Sequence, residues 1–346
     1  MKKLDESEII NKFQKIFGNS NFASEDVEFF SIGKKKIIVK VDTLVQSTDI
    51  PPQMSLKDAA RKSVVACVSD FAAKGVKPKF AIISINLPGV ISNKEIDEIA
   101  KGFKKASKEF DVHILGGDTN QGLEIVFNVC VFGIAEKIIQ RKGAKIGDLI
   151  FVTGPFGYTA AGLEILLENM KINNTFSTKA IKSVMSPKPR LDFGVKNKNY
   201  FSSSMDSSDG LSTTLNEMAK QSKCKFVINN IPCKNDIENF SIMHKKNFES
   251  LIFHGGEEYE IVFTVSKKDK PKLIKNAILS KTPIIEVGHV EKGKGVFIEK
   301  NQKLVKLKDL GYHHFKNINE KDYAKSLDLL KSIGRNYGSP SNFYRK

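Results

Sequence analysis

Acidic residues recur in this chain beside glycine or other small residues: Asp26, Asp42, Asp70, Asp118, Asp206 and Asp209. The pattern is plainest in Val112-His-Ile-Leu-Gly-Gly-Asp-Thr-Asn-Gln-Gly122, where a short apolar run meets two glycines and a carboxylate follows at once. Glycine allows a sharp turn and the close approach of a ligand. Asp118 is therefore expected to offer a hard oxygen beyond the end of a strand. Such oxygens suit Mg²⁺, which commonly arrives with phosphate. One buried carboxylate without a partner is costly, but several are tolerated where divalent cations hold them together. His254-Gly-Gly-Glu-Glu-Tyr-Glu260 repeats the logic later in the chain. The plainer reading is a set of unrelated turns and caps. Asp209-Gly210 fits it well, with Ser208 as the N-cap of a following helix.

The chain has no Gly-x-x-x-x-Gly-Lys-Ser/Thr loop and no His-Arg-Asp kinase set. A nucleotide would have to be held by a metal-dominated phosphate site. Phosphoryl transfer asks mainly for positioning and charge neutralisation, and Mg²⁺ ions on a ring of aspartates supply both. Near the end, Gly311-Tyr-His-His-Phe315 places Tyr312 where its ring can stack on a heteroaromatic or pack in the core.

Composition narrows the field. The 346 residues suffice for two domains, with 40% hydrophobic and 27% charged residues, as in a globular protein. No apolar run approaches about 18 residues, so no membrane span is expected. The start lacks the apolar core of a signal peptide, so a cytoplasmic location is expected. Cys67, Cys130, Cys224 and Cys233 stand far apart, and the six histidines show no zinc spacing. The net charge of +16 suggests an anionic partner. The lysines are spread through every segment, which disfavours nucleic acid and suits a polyanionic small molecule such as ATP.

The elements that must position these residues follow from periodicity. A helix is expected over 5–17 and a strand over 36–41 that ends on Asp42-Thr43. A Pro-Pro loop follows over 47–54. Ser55 then opens a helix of small residues that runs toward Lys74 and stops at Gly75. Strands are expected over 80–87 and 124–133, with a helix over 93–110 between them. A polar joint at 141–148 leads to a strand over 149–153 and a helix over 158–170. Ser202–Gly210 leads into a helix carrying Leu211, Leu215 and Met218. Further strands are expected over 226–228, 259–265, 284–287 and 296–298, and a helix over 268–280. The division expected is a first domain over 1–140, a second over 141–315 and a peripheral polar tail over 316–346.

In order along the chain, several stretches resemble the thiamine-monophosphate kinase family, within the superfamily of aminoimidazole ribonucleotide synthetase and selenophosphate synthetase. They are Asp42-Thr-Leu-Val45, Val68-Ser-Asp-Phe-Ala-Ala-Lys-Gly75, Gly116-Gly-Asp-Thr119, Arg141-Lys-Gly-Ala-Lys-Ile-Gly-Asp148, Val152-Thr-Gly154, Pro187-Lys-Pro-Arg190, Asp206-Ser-Ser-Asp-Gly210 and Gly255-Gly-Glu-Glu-Tyr-Glu260. The loop Ser47–Met54 is closer to archaeal members.

The resemblance implies an α+β fold of two domains: an N-terminal α/β sheet domain that forms a barrel on dimerisation and a C-terminal α/β sandwich. It implies a homodimer that uses ATP and several Mg²⁺ ions to convert thiamine phosphate into thiamine diphosphate. By motif match, Asp26, Asp42, Asp70, Asp118, Asp206 and Asp209 hold metal, and Asp209 is the catalytic carboxylate. Gly117, Asp118, Arg141 and Ser208 contact ATP, and Asp49, Glu257 and Tyr312 lie nearest thiamine phosphate. The acceptor is a phosphate monoester with a second pKa of about 6, so it needs no general base. Ser24-Glu25-Asp26 stands where many members carry Gly-Asp-Asp, and Asp49 where bacterial members often carry histidine. Two other readings remain: another ATP-dependent enzyme of the superfamily, or a basic nucleic-acid-binding protein that keeps the fold.

Overall fold

Residues 55–75 build the helix on which both halves of the chain rest. Its start is capped by Ser55, whose Oγ accepts from the Asp58 N–H at 3.1 Å and donates to Asp58 Oδ2 at 2.8 Å. Five alanines, the strongest helix formers, then carry the helix: Ala59, Ala60, Ala66, Ala72 and Ala73. Its end is a Schellman turn: Val76 N donates to Phe71 O and Gly75 N to Ala72 O, with Gly75 at φ +66°. A Cβ on Gly75 would lie 2.5 Å from Lys198 Cβ, so glycine is required twice over.

The computed structural model describes residues 6–19, 22 and 24–314. The expected tail, 316–346, lies outside the described residues. The first half runs α1 (Glu6–Ile16), β1 (Glu28–Ile32), β2 (Lys35–Val45), α2 (Gln46–Asp49), α3 (Leu56–Ala73), β3 (Pro78–Pro88), α4 (Asn93–Phe110), β4 (His113–Gly122) and β5 (Val126–Ala135). The second runs β6 (Leu149–Val152), α5 (Tyr158–Leu167), α6 (Thr175–Met185), α7 (Leu191–Asn197), β7 (Phe201–Ser207), α8 (Leu211–Ser222), β8 (Lys225–Ile228) and α9 (Asn235–Met243). It continues through β9 (Glu260–Val265), α10 (Lys270–Leu279), β10 (Ile285–Glu291), β11 (Gly295–Lys300) and β12 (Lys303–Lys306).

Among the described residues the strands form two sheets, and the chain is mixed α/β as expected. The five-stranded sheet has the order β1-β2-β5-β3-β4, and the seven-stranded sheet β12-β11-β8-β10-β6-β9-β7. Helix α3 lies between them. Val64, Val65, Cys67, Val68 and Phe71 pack with Ile83, Val129 and Val131 of the first sheet. Ala72 and Ala73 pack with Phe151, Phe193, Phe201 and Phe263 against the second. The small side chains let neighbours come close: a Cβ on Gly194 of α7 would lie 1.9 Å from Ala72 O.

Two local expectations need correction. The strand that begins at His113 does not stop at the glycines; β4 runs through them, and Asp118 sits inside it, paired with Ser84. Ladder pairing to β3 holds the segment extended, with a bulge between Ala81 and Ile82. Helix α8 has Gly210, at φ +108°, as its N-cap and not Ser208, because Ser208 O instead receives the Glu257 N–H at 2.6 Å. Strands β1, β7 and β12 and helices α2, α6, α7 and α9 lie outside the elements expected, and α2 takes up the start of the stretch read as a loop over 47–54.

Candidate active site

Asp26, Asp70 and Asp206 come from three separate places: the approach to β1, the last turn of α3, and β7 of the second sheet. Each is buried, at 1%, 5% and 2% exposure. One carboxylate oxygen from each lies within 4.8 Å of the others. Asp42 faces the same helix from β2 and joins them through Lys40, whose Nζ lies 2.9 Å from Asp70 Oδ2 and 3.3 Å from Asp42 Oδ1.

The electrostatics of this cluster are those of acids short of positive charge. Burial pushes the Asp206 pKa up to about 7, and the neighbouring Asp26 adds to the shift. Burial likewise drives Asp70 well above the usual carboxylate range; Lys40 opposes the shift, while Asp206, Asp42 and Asp26 reinforce it. Asp26 moves the other way. Burial works against its charged form, but Arg141 and Lys74 overcome that and lower its pKa. Arg141 Nε and Nη2 reach Asp26 Oδ1 at 2.6 and 2.5 Å, and Lys74 Nζ reaches Oδ2 at 2.8 Å. Hard oxygen donors from rigid elements, two of them with raised pKa values, form a donor set that fits Mg²⁺.

Glu25, the departure from Gly-Asp-Asp, has a use here. Its carboxylate accepts from Lys74 Nζ at 2.7 Å and from the Arg141 backbone N–H at 3.1 Å. Lys74 also donates to Ser204 O at 3.0 Å, so one buried ammonium ties the approach to β1, α3 and β7 together. Ser69 Oγ donates to Asp206 Oδ2 at 3.0 Å across the same junction.

Beside the carboxylates lies a second group. Lys62, buried in α3, donates to Asp49 O at 2.9 Å and pairs with Glu257 at 2.6 Å. Asp49 Oδ2 accepts the Val45 N–H at 2.7 Å. Tyr312 N donates to Asp209 O at 2.8 Å, which brings Tyr312 to the start of α8. Burial raises the Tyr312 pKa, with Asp49, Asp209 and Glu257 adding to the effect. Burial also raises that of Asp209, with Glu6 of α1 adding to it. Glu257 and Tyr259 both hold positive φ, at +62° and +52°, so this loop is strained where it borders the cluster.

Asp118 does not join the cluster of its own chain. Thr43, Asn128, Ser84 and Asp118 form one row across the first sheet. Asp42, Val129, Ile83 and Gly117 form the next. Successive residues of a strand face opposite sides. Asp42 therefore faces α3, and Asp118 is exposed on the open side with Asn120 Nδ2 at 3.0 Å. Gly117 lies on the helix side, where a Cβ would meet Ile83 O at 1.6 Å.

Residues 24–135 match the model of the family described as AIR synthase related protein, N-terminal domain. A thiamine-monophosphate kinase from Nitrosopumilus maritimus (strain SCM1) is 64% identical over 316 residues, covering 91% of this chain and 100% of that protein. The chain belongs to the thiamine-monophosphate kinase family. A thiamine-monophosphate kinase from Pyrococcus horikoshii is 33% identical and covers 91% of this chain and 98% of its own length. The solved structure of AaThiL complexed with AMPPCP and TMP matches with a TM-score of 0.81 at 28% identity, covering 91% of this chain and 99% of that one.

In this member of the thiamine-monophosphate kinase family, two buried lysines, Lys62 and Lys74, and the half-buried Lys40 serve the site without a role assigned to them from the motifs. Lys40 was legible through strand alternation, being two residues before Asp42. Lys62 was visible as a charge amid small helical residues. Lys74 gave no signal, since a lysine before a C-terminal glycine is ordinary.

Proposed function

We propose that this protein transfers the γ-phosphoryl group of ATP to thiamine phosphate, giving thiamine diphosphate and ADP. The observation that carries the reading is the convergence of Asp26, Asp70 and Asp206, from both sheets, on one buried spot. Membership of the family supplies the substrates. Asp26, Asp42, Asp70 and Asp206 are the residues to hold Mg²⁺, which when bound neutralises phosphate charge. Asp209, at the start of α8, is assigned beside them at the edge facing the acceptor. Gly117, Arg141 and Ser208 are assigned to ATP; Arg141 does so while gripping Asp26, which fixes its guanidinium in place.

Asp49, Glu257 and Tyr312 are assigned to thiamine phosphate. Lys62 holds Asp49 and Glu257 on one ammonium and so sets the distance between them. The acceptor oxygen attacks the γ-phosphorus in line as ADP leaves. No residue needs to remove a proton, because the acceptor is already dianionic near neutral pH. What the chain supplies is orientation of two polyanions.

The working unit we propose is a homodimer. The open face of the first sheet presents three apolar rows: Phe30-Ile37-Ile134, Val39-Phe132-Phe80 and Val41-Cys130-Ile82. Val41, Ile82 and Ile134 are 60%, 42% and 50% exposed. A sheet face this apolar calls for cover. Two such faces closing into a barrel would cover it and carry the Asp118 of a second copy away from bulk water. In this scheme residues 1–140 form the metal-binding and dimerisation domain and 141–315 the second domain, with 316–346 peripheral. Among the described residues no helix is long and apolar enough to cross a membrane. We place the enzyme in the cytoplasm, where ATP is.

Incubation of the protein with ATP, Mg²⁺ and thiamine phosphate is expected to yield thiamine diphosphate and ADP in equal amounts. ADP without thiamine diphosphate, or no turnover across a range of Mg²⁺, would contradict the proposal.

A further inference from the structure

The start of α8 touches both segments that carry residues assigned to thiamine phosphate. On one side runs the chain from Leu307 to Tyr312. Asn216 Nδ2 donates to Leu307 O at 3.3 Å, and Thr213 Oγ1 donates to Asp309 Oδ1 at 2.7 Å. The fit is close: a Cβ on Gly311 would lie 2.2 Å from both Asp209 O and Thr213 Oγ1. On the other side is the loop that leads to Glu257. It leaves a π-helical turn over Ser250–His254, a form that recurs at functional sites. A Cβ on Gly256 would lie 2.7 Å from Ser208 O, the oxygen that also takes the Glu257 N–H.

One side chain joins the two segments. Ser212 is fully buried; its Oγ lies 3.0 Å from His254 Nδ1 and accepts the Leu310 N–H at 3.4 Å. Burial lowers the His254 pKa, so the ring is neutral near pH 7 and one of its nitrogens is an acceptor. A single hydroxyl can therefore donate to the ring and accept from the backbone at once. Tyr312 stands two residues beyond Leu310, and Glu257 three beyond His254, so a shift at Ser212 reaches both within a few peptide units.

We propose that Ser212 is a positioning residue of the acceptor site. Its hydroxyl holds the loop bearing Glu257 and the segment bearing Tyr312 at one separation, and so sets the width of the pocket that takes thiamine phosphate. This rests on the assignment of Glu257 and Tyr312 to that substrate.

The test is steady-state kinetics of the full chain, with thiamine phosphate and ATP varied in turn. Ser212→Ala leaves a buried N–H and a ring nitrogen without their partner, and is expected to raise KM for thiamine phosphate at least about fivefold. Its kcat and its KM for ATP are expected to stay within about twofold of the unaltered protein, because only acceptor binding is altered. His254→Leu is expected to act in the same way, and the double variant no more strongly than either alone. An unchanged KM for thiamine phosphate, an equal rise in both KM values, or effects that multiply in the double variant would overturn the role of Ser212. Tyr312→Ala checks the underlying assignment separately and is expected to raise KM for thiamine phosphate about tenfold. If that KM does not move, Tyr312 leaves the acceptor site and the proposal falls with it.

Discussion

Asp206 shows what the cluster costs the fold when no metal is present. Its pKa, raised to about 7, lies above the value near 3.9 of an unfolded chain. The folded state thus binds the proton more tightly than the unfolded state does. The stability this provides is full below about pH 4 and is lost as pH rises through about 7. Asp206→Asn removes the titration. In chelator, the variant is expected to be more stable than the unaltered protein at pH 8, by on the order of 1–3 kcal/mol, and to melt at a higher temperature. The gap should close toward pH 4. Thermal melts across that range check it, and a gap independent of pH would contradict it. The same variant is expected to lose at least about 100-fold in turnover, since a ligand oxygen becomes an amide. At this scale the sequence was legible for the acids and silent about their partners. Aspartates beside glycine could be read from spacing. That Lys74 would reach Glu25, Asp26 and Ser204 at once depends on residues 49 and 130 positions away, which no local pattern encodes.

Among the elements, α3 does the positioning. It was readable because its signals are local: the Ser55 cap, a run of small residues, and Gly75 at a turn that only glycine makes easily. Its consequence is tight packing on α4 and α7. A Cβ on Gly194 would meet Ala72 O at 1.9 Å, and one on Gly102 would meet Lys57 O at 2.2 Å. Backbone cannot yield as a side chain can. Gly194→Ala is therefore expected to destabilise the protein by about 1–3 kcal/mol in urea unfolding. It should also weaken metal binding, because α7 is pushed away from the helix that carries Asp70. Unchanged stability would show that α7 shifts freely. The edges of the sheets were harder to read. β1 carries exposed residues throughout and β12 likewise, so neither shows the alternation that marks a half-buried strand. β4 departs from its expected end for a related reason: glycines normally punctuate a strand, but pairing with β3 carries this one through them.

For the whole molecule, the sheet itself separates Asp118 from the other aspartates. Sequence order placed them in one site, and strand parity puts them on opposite faces. A second copy resolves this if the open faces pair. Ile82→Asp, a charge set in the apolar row Val41-Cys130-Ile82, is expected to yield monomers in sedimentation. Its activity should fall with the dimer fraction and rise as protein concentration increases. A variant that stays dimeric, or a fully active monomer, would place the interface elsewhere. The most direct test of the site is anomalous diffraction from crystals grown with Mn²⁺ and a non-hydrolysable ATP analogue. The expected result is Mn²⁺ peaks within coordination distance of Asp70, Asp206 and Asp26, between the nucleotide phosphates and the protein. Peaks confined to surface carboxylates, with those three still paired to lysine, arginine and hydroxyl groups alone, would contradict it.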